Sequence, residues 1–163
     1  MIEVEIKGLD ILEQQLISLG NDIGPKALRS AAMAAMEPVK KDMLANVPIF
    51  EGESRKVKNK KDQTVTLYPG FMKSRIKKRS RLNRKGRAGR HFKNQDTTVV
   101  VRTGVFRVPY VVQQEFGTTR HSGKPFIRPA LDKNIHVVTN LFKKKLQQRI
   151  KFWLRKRQRE SKR

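Results

Sequence analysis

The sequence predicts an α+β fold, in which a small antiparallel sheet packs against an alanine-rich helix and a long C-terminal amphipathic helix. Three observations support this class. Residues 28–43 repeat alanine and other apolar side chains at helical spacing. Residues 97–106 contain three consecutive valines, and β-branched residues favour strands. Residues 131–153 hold an apolar stripe with the helical period of about 3.6 residues.

The opening of the chain predicts a strand followed by a first helix. Ile2, Val4 and Ile6 alternate with charged residues, which places them on one face of a strand. Asp10 is a candidate N-cap, since its short polar side chain can accept a hydrogen bond from a free N–H group of the first helical turn. We expect this helix to end at Gly20.

A second helix is predicted from Pro25, because proline suits the first helical position. Its alanine-rich stripe forms a flat face that another element can approach closely. Pro38 lies inside the run and should kink or split the helix, because proline lacks an N–H donor and clashes with the preceding turn. We expect the helical run to end at Pro48. The stripe consists of Leu28, Ala31, Ala32, Ala35, Met36, Val39 and Met43.

The middle of the chain predicts polar segments with little regular structure. Residues 48–62 are expected to be a basic loop. Residues 63–68 alternate as a strand or as one arm of a hairpin on an insertion. Residues 69–76 favour a turn with a short helix or bend. Residues 77–95 show no apolar period, so they predict a loop that is mobile or that a partner orders.

The second half of the chain predicts a hairpin and two helices. We expect residues 97–106 to pair with residues 74–80, with the basic loop at the tip. Pro109 opens a short helix, and Pro129 starts the last helix, whose apolar stripe spans about 34 Å. Residues 155–163 lose the stripe and are expected to fray. The stripe consists of Leu131, Ile135, Val138, Phe142, Leu146, Ile150 and Trp153.

The net charge of +24 is the strongest bulk signal in the sequence. Basic residues cluster at 55–61, at 73–93 and from Lys143 onward, with only Glu160 against the last cluster. Such a charge needs a negative counter-surface, which an anionic membrane face, nucleic acid or an acidic protein partner provides. The candidate contact residues for nucleic acid or an acidic protein partner are Arg79, Arg81, Arg84, Lys85, Arg87, Arg90 and Lys93.

No combination of residues predicts catalysis, a cofactor or a metal site. The chain has no cysteine, and His91, His121 and His136 share no metal-ligand spacing. Ser122 beside His121 is not a nucleophile–base pair, because neighbours in sequence rarely point at each other. Residues 84–91 lack the GxxxxGK[ST] pattern of phosphate-binding loops. No apolar run reaches the roughly 20 residues that span a bilayer. The last helix is basic and amphipathic, as membrane-surface helices are, but its apolar stripe is assigned to the core, so we expect no membrane partner.

Residues 115–132, EFGTTRHSGKPFIRPALD, form a stiff connector between the short helix and the last helix. We expect Gly117 to adopt a positive φ or to make a close backbone contact. Phe116 and Phe126 are expected to pin the turn to the core. Arg128 is expected either to anchor the start of the last helix or to contact another subunit.

Together with Tyr110, the connector resembles a family of tailed-bacteriophage proteins, the small neck or tail-completion proteins of siphophages. The family signature is Tyr, a few residues, Glu-Phe-Gly-Thr, a short gap and Pro-Phe-Leu-Arg-Pro-Ala. Here Ile127 replaces the usual leucine, and the insertions at 49–69 and 77–95 are larger and more basic than the family requires. The matching residues are Tyr110, Glu115, Phe116, Gly117, Thr118, Pro125, Phe126, Arg128, Pro129 and Ala130.

This resemblance implies a structural protein of the virion neck that performs no chemistry. It would form part of a sixfold or twelvefold ring of identical subunits between the head connector and the tail, around the DNA channel, after a period in the host cytoplasm. The implied neighbours are portal-adaptor proteins, tail terminator or tail tube proteins, and genomic DNA as a further candidate. The implied assembly interface consists of Glu115, Phe116, Gly117, Thr118, Pro125, Phe126, Arg128 and Pro129.

The length suits one domain, placed at residues 1–150, with residues 151–163 as a basic C-terminal extension. A protein of another class, a free nucleic-acid-binding protein acting through its lysine- and arginine-rich loops, is the alternative function. It predicts DNA or RNA binding that weakens steeply with salt. No recognised nucleic-acid reader motif is present in the sequence.

Overall fold

The structure, a computed structural model, describes residues 10–58, 62, 64–83 and 99–162. The described elements confirm the α+β class. The strand predicted at Ile2–Ile6 and most of the basic loop at 77–95 lie outside the described residues. The elements are α1 (Asp10–Ser18), α2 (Gly20–Ala35), α3 (Glu37–Asn46), β1 (Arg55–Lys58), β2 (Thr64–Leu67), α4 (Phe71–Ser74), β3 (Ile76–Leu82), β4 (Val99–Val105), α5 (Val111–Phe116) and α6 (Ile127–Glu160).

The chain forms two compact units whose segments alternate along the sequence. The first is built from segments that end at Pro38, run from Lys78 to Arg102 and begin at Asn134. The second is built from Val39–Lys77 and Thr103–Lys133. Neither unit is a contiguous stretch of chain, and the single domain expected at residues 1–150 stays a prediction.

The core of the first unit confirms the flat alanine face of the second helix. Ala31 is fully buried in one cluster with Leu12 of α1, with Leu19 between α1 and α2, and with Leu146 and Ile150 of α6. Because alanine adds little bulk, the side chains of this cluster can approach the backbone of α2 closely. Burying a leucine or isoleucine stabilises a fold by about 1.5–3 kcal/mol. This cluster is therefore a principal source of stability in the first unit.

Two of the proline predictions had different outcomes. Pro38 does split the helical run, since α2 ends at Ala35 and α3 begins at Glu37. As the second residue of α3, Pro38 loses an N–H group that would have had no helical acceptor. The start at Pro25 was wrong, because α2 begins at Gly20 and holds Pro25 in its interior. The extra turn carries Ile23, whose packing against the core cluster favours helix before the proline.

The first helix ends close to the expected position. Ser18 is the last residue of α1, and Gly20, with φ of +77°, begins α2. Asp10 is the first residue of α1, and its side chain lies outside the part of the chain that the structure describes. At the other end of the helical run, α3 stops at Asn46, two residues before Pro48.

A hairpin occupies part of the segment expected to be a basic loop. β1 pairs antiparallel with β2, and Arg55 lies opposite Leu67 while Lys58 lies opposite Thr64. The prediction of a loop across 48–62 was wrong at residues 55–58, and the alternative of a hairpin arm at 63–68 is confirmed. All four side chains of β1 are exposed, so the basic composition does not oppose pairing.

The second hairpin is confirmed with a shift of two residues. β3 pairs with β4, and the Phe106 N–H group donates to the Arg75 carbonyl (3.1 Å) beyond the strand ends, as in an antiparallel pair. Lys78 projects from β3, and its Nζ donates to the Met33 carbonyl (2.7 Å) and pairs with the Glu37 carboxylate. This lysine of the basic cluster therefore serves the fold of the first unit.

The last helix is longer than expected at both ends. α6 has 34 residues and a length of about 51 Å. It begins at Ile127, before Pro129, and it continues to Glu160 where fraying was expected, so both of those boundaries were wrong. At the C-terminal end Lys156 pairs with Glu160 (3.7 Å), and Arg157 donates to the Ser18 carbonyl (3.0 Å). No helix among residues 10–58, 64–83 and 99–162 is long and apolar enough to cross a membrane.

Candidate functional site

A buried carboxylate holds the connector together. Glu115, at the end of α5, is only 4% exposed, and its Oε2 accepts from the N–H groups of Phe126 (2.9 Å) and Ile127 (3.1 Å). Its Oε1 accepts from the N–H group of Arg128 (3.0 Å). The first N–H groups of a helix have no acceptor within the helix. Glu115 therefore caps α6 from outside, and we call this arrangement the Glu115 clasp.

The clasp keeps its carboxylate ionised. Burial acts to raise the pKa of Glu115, and this is the largest single influence. The backbone hydrogen bonds from Arg128, Phe126 and Ile127, together with the Arg128 side chain, outweigh it and hold the pKa below the ordinary value of a glutamate. The positive end of the α6 dipole also favours a negative charge at this position. The charge of Glu115 is thus part of the fold at neutral pH.

Gly117 makes the turn that lets the chain return to α6. Its φ of +82° and ψ of −178° lie in a region that is essentially restricted to glycine. A Cβ atom there would lie 2.7 Å from the Gly123 nitrogen and 2.9 Å from the His121 carbonyl oxygen. The expected positive φ and close backbone contact are both confirmed.

The returning chain is pinned to α5 by backbone hydrogen bonds. Thr118 and His121 form a two-residue bridge, with the Thr118 N–H group donating to the His121 carbonyl (2.8 Å). The Lys124 N–H group donates to the Gln114 carbonyl (2.8 Å). A Cβ atom on Gly123 would lie 2.6 Å from the Gly117 nitrogen. Glycine is therefore needed at both positions, where the two segments of the loop cross. These backbone hydrogen bonds and the close approach of the two glycines restrict the conformation of the loop.

An apolar surface lies on the outside of this rigid loop. Val112 and Phe116 are one helical turn apart on α5 and are 64% and 65% exposed. The Arg128 guanidinium lies 4.3 Å from the centre of the Phe116 ring, and its Nε lies 3.5 Å from Glu115 Oε1. Exposed aromatic and arginine side chains are enriched at protein–protein interfaces. We call Val112, Phe116 and Arg128 the connector surface.

The structure divides the expected interface residues into two groups. Phe126 is 1% exposed and pins the turn to the core as predicted. Phe116 was expected to do the same, and this was wrong: Glu115 takes the inward position on the six-residue α5, which turns its neighbour toward solvent. Glu115, Gly117 and Phe126 support the surface from within. The remaining expected residues, Thr118, Pro125, Arg128 and Pro129, are exposed.

Sequence reasoning missed two residues of this site. Val112 had a usable signal, because an apolar residue four positions before Phe116 shares its face on a helix. Gly123 had none, since only the folded loop shows that it meets Gly117. Arg128 was expected as a helix anchor or an intersubunit contact. Its bonds to Glu115 confirm the anchor, and the intersubunit contact stays a prediction.

The expected nucleic-acid contacts are described only in part. Arg79 and Arg81 lie exposed on β3. Arg84, Lys85, Arg87, Arg90 and Lys93 lie outside the described residues. Within the described part of the chain, no group of three or more histidine, aspartate and glutamate side chains could hold a metal ion.

Comparison with known proteins adds no relative to this picture. A scan against protein-family models finds no match for the chain. Searches of curated proteins and of solved structures find no match either. The function must therefore be argued from the connector and from the charge of the chain.

Proposed function

We propose that this protein is a structural component of a tailed-phage neck, a tail-completion or head–tail joining subunit that forms part of a ring between the head connector and the tail. The observation that supports it most is the paired signature Glu-Phe-Gly-Thr and Pro-Phe-x-Arg-Pro-Ala at residues 115–118 and 125–130. Its implied role needs no reaction chemistry, only a stable subunit and an adhesive surface.

The Glu115 clasp gives a physical reason why the two halves of the signature occur together. The carboxylate in the first half accepts the N–H groups of Phe126, Ile127 and Arg128 in the second. Gly117 in the first half allows the chain to fold back so that this contact can form. The contact therefore explains why the two halves occur together at this spacing.

The connector surface suits contact between subunits. A closed ring requires two different patches on each subunit, because its interfaces are heterologous. Phe116 and Val112 supply an apolar anchor, and Arg128 holds the Phe116 ring from one side. The clasp fixes this patch on a rigid loop, which lowers the entropy lost on association. We expect Phe116 to insert against the adjacent subunit of the ring.

Complementation of a phage that lacks this gene tests the proposal. A plasmid-borne copy with Phe116→Glu should leave heads and tails intact but unjoined, because a charge replaces the interface anchor. The wild-type copy should restore joined particles that contain the polypeptide at the neck, visible by electron microscopy of the virion.

Ile17→Glu is the matched control. Ile17 is a similarly exposed aliphatic residue, on α1 in the other unit, and its charge substitution should restore infection. Joined, infectious particles with Phe116→Glu would remove the connector surface from the proposal. Purified virions that contain none of the polypeptide would refute the proposal as a whole.

A further inference from the structure

The distal part of α6 exposes a row of cations on the side away from the core. Leu146 and Ile150 are buried in the core cluster of the first unit, which fixes the orientation of the helix. At 100° per residue, the opposite direction is occupied by four exposed side chains over about 22 Å of helix. These are Lys144, Lys151, Arg155 and Arg159, which we call the distal row.

Glu160 is the one acidic residue next to the distal row in sequence, and it pairs with Lys156. Residues 133–159 contain no aspartate or glutamate. Among the residues that the structure describes, no hydrogen bond or ion pair engages any of the four cations of the row. The neighbouring Lys156 differs, because it pairs with Glu160 (3.7 Å) and lies 5.1 Å from the centre of the Trp153 ring. Lys156 therefore contacts other side chains of the fold, whereas the four cations of the row are exposed to solvent.

We propose that the distal row binds the phosphate backbone of duplex DNA. Along each strand of a duplex one phosphate occurs per about 3.4 Å, so roughly six or seven lie alongside a row of about 22 Å. A duplex is stiff over this distance, since its persistence length is about 150 base pairs. Its strands wind around the axis with a repeat of about 34 Å, so the row meets some of these phosphates and does not follow one strand throughout. A disordered acidic protein segment would have to become ordered against the helix, which costs conformational entropy that a duplex does not lose.

The side chains of the row also indicate how DNA would be bound. Lysine and arginine contacts to phosphate position a protein on a duplex without reading its sequence. Single strands need several aromatic side chains on which bases stack. In the described part of α6, Phe152 is the aromatic residue that stands exposed beside the row. The row therefore fits a duplex, bound through its backbone and without sequence preference.

Salt-dependent binding of a fluorescein-labelled 20-base-pair duplex to the full chain tests this inference. Four phosphate contacts predict that affinity falls about 100-fold between 50 and 200 mM salt. The triple variant Lys151→Glu, Arg155→Glu and Arg159→Glu should lose about 2.7 units from the slope of log K against log salt. All three side chains are exposed, so the variant should keep its circular dichroism spectrum and melting temperature.

A charge-matched variant separates the row from the net charge. Lys26→Glu, Lys41→Glu and Lys56→Glu change three exposed lysines outside the row and outside residues 77–95, and this variant should keep nearly the wild-type slope. Equal losses in the two variants, or none in the first, would overturn the inference. Competition by poly-L-glutamate as strong as that by the duplex, at equal charge, would overturn it in favour of an acidic protein. The experiment uses isolated protein, so its result is independent of the neck proposal.

Discussion

The two ends of α6 differ in how their charged groups are placed. At the N-terminal end, the Glu115 carboxylate accepts three backbone N–H groups and is itself buried. At the distal end, the cations of the distal row are exposed and no acidic residue occurs from 133 to 159. With only 14 acidic residues against 38 basic ones, the chain places one of its few carboxylates where the fold depends on it.

This difference teaches which substitutions should affect folding and which should affect binding. A change in the clasp leaves buried polar groups without partners, and such groups are costly. A change in the distal row removes charges that solvent already screens, so it should alter stability little. Each of the following predictions tests one side of that division.

Among changes to the turn and to the Glu115 carboxylate, the largest effect is expected from Gly117→Ala, with Gly70→Ala as its control. Both glycines have a φ near +80°, but the Cβ at Gly70 meets nothing within 4 Å, whereas at Gly117 it meets backbone atoms at 2.7 and 2.9 Å. We expect Gly117→Ala to cost about 3 kcal/mol or more and Gly70→Ala about 1 kcal/mol, measured by urea unfolding. Equal costs would show that the crossing of the loop at Gly123 is not tight.

Glu115→Gln should have the next largest effect. The amide keeps one acceptor oxygen but directs an NH₂ group at helical N–H donors, and we expect a loss of about 2 kcal/mol. Glu53→Gln is the control, because Glu53 is exposed, and it should change the free energy of unfolding by less than about 0.5 kcal/mol. A clasp variant as stable as this control would contradict the capping role of Glu115.

The pH dependence of the same variant tests the charge of Glu115 separately. A carboxyl whose pKa is lowered by folding stabilises the fold above its unfolded pKa of about 4.3. That stabilisation is lost as the pH falls through the folded pKa. The difference in melting temperature between wild type and Glu115→Gln should therefore be constant near neutrality and shrink below about pH 4. A difference that grows with acidity would reverse the assigned direction of the shift.

The smallest effect on folding is expected from Phe116→Ala. The ring is 65% exposed, so its removal sacrifices mainly the contact with Arg128, worth about 0.5–1 kcal/mol. Phe126→Ala, which empties a buried position, should cost about 3–5 kcal/mol in the same assay. Similar losses of unfolding free energy for both variants would indicate that Phe116 is buried in the core and does not belong to the connector surface.

The sequence predicts those features that depend on local pattern. The α+β class, the split at Pro38, the alanine face around Ala31 and the positive φ of Gly117 all follow from residue type and spacing. Each is determined within a few residues, where the geometry of helix, strand or turn leaves few choices. The β3–β4 pairing belongs to the same group, since the two strands flank one long polar segment.

The features that sequence reasoning missed depend on contacts between distant residues. The start of α6 at Ile127 follows from an acceptor on Glu115, twelve positions earlier. The outward turn of Phe116 has the same cause, because the inward position is taken by a carboxylate that pattern rules assign to the surface. Beyond residue 154 the helix is accompanied by a hydrogen bond from Arg157 to the distant Ser18 carbonyl. None of these contacts has a signature in the local sequence.

Thermal unfolding with and without the 20-base-pair duplex tests the division between the two ends of α6 most directly. A ligand that binds the folded state raises its stability in proportion to the logarithm of its excess over Kd. We predict that Glu115→Gln melts below wild type but gains the same shift from DNA. The triple variant of the distal row should have the melting temperature of wild type, and the duplex should raise that temperature only slightly. A triple variant that starts as low as Glu115→Gln, or a clasp variant whose folded form loses the DNA shift, would contradict the account.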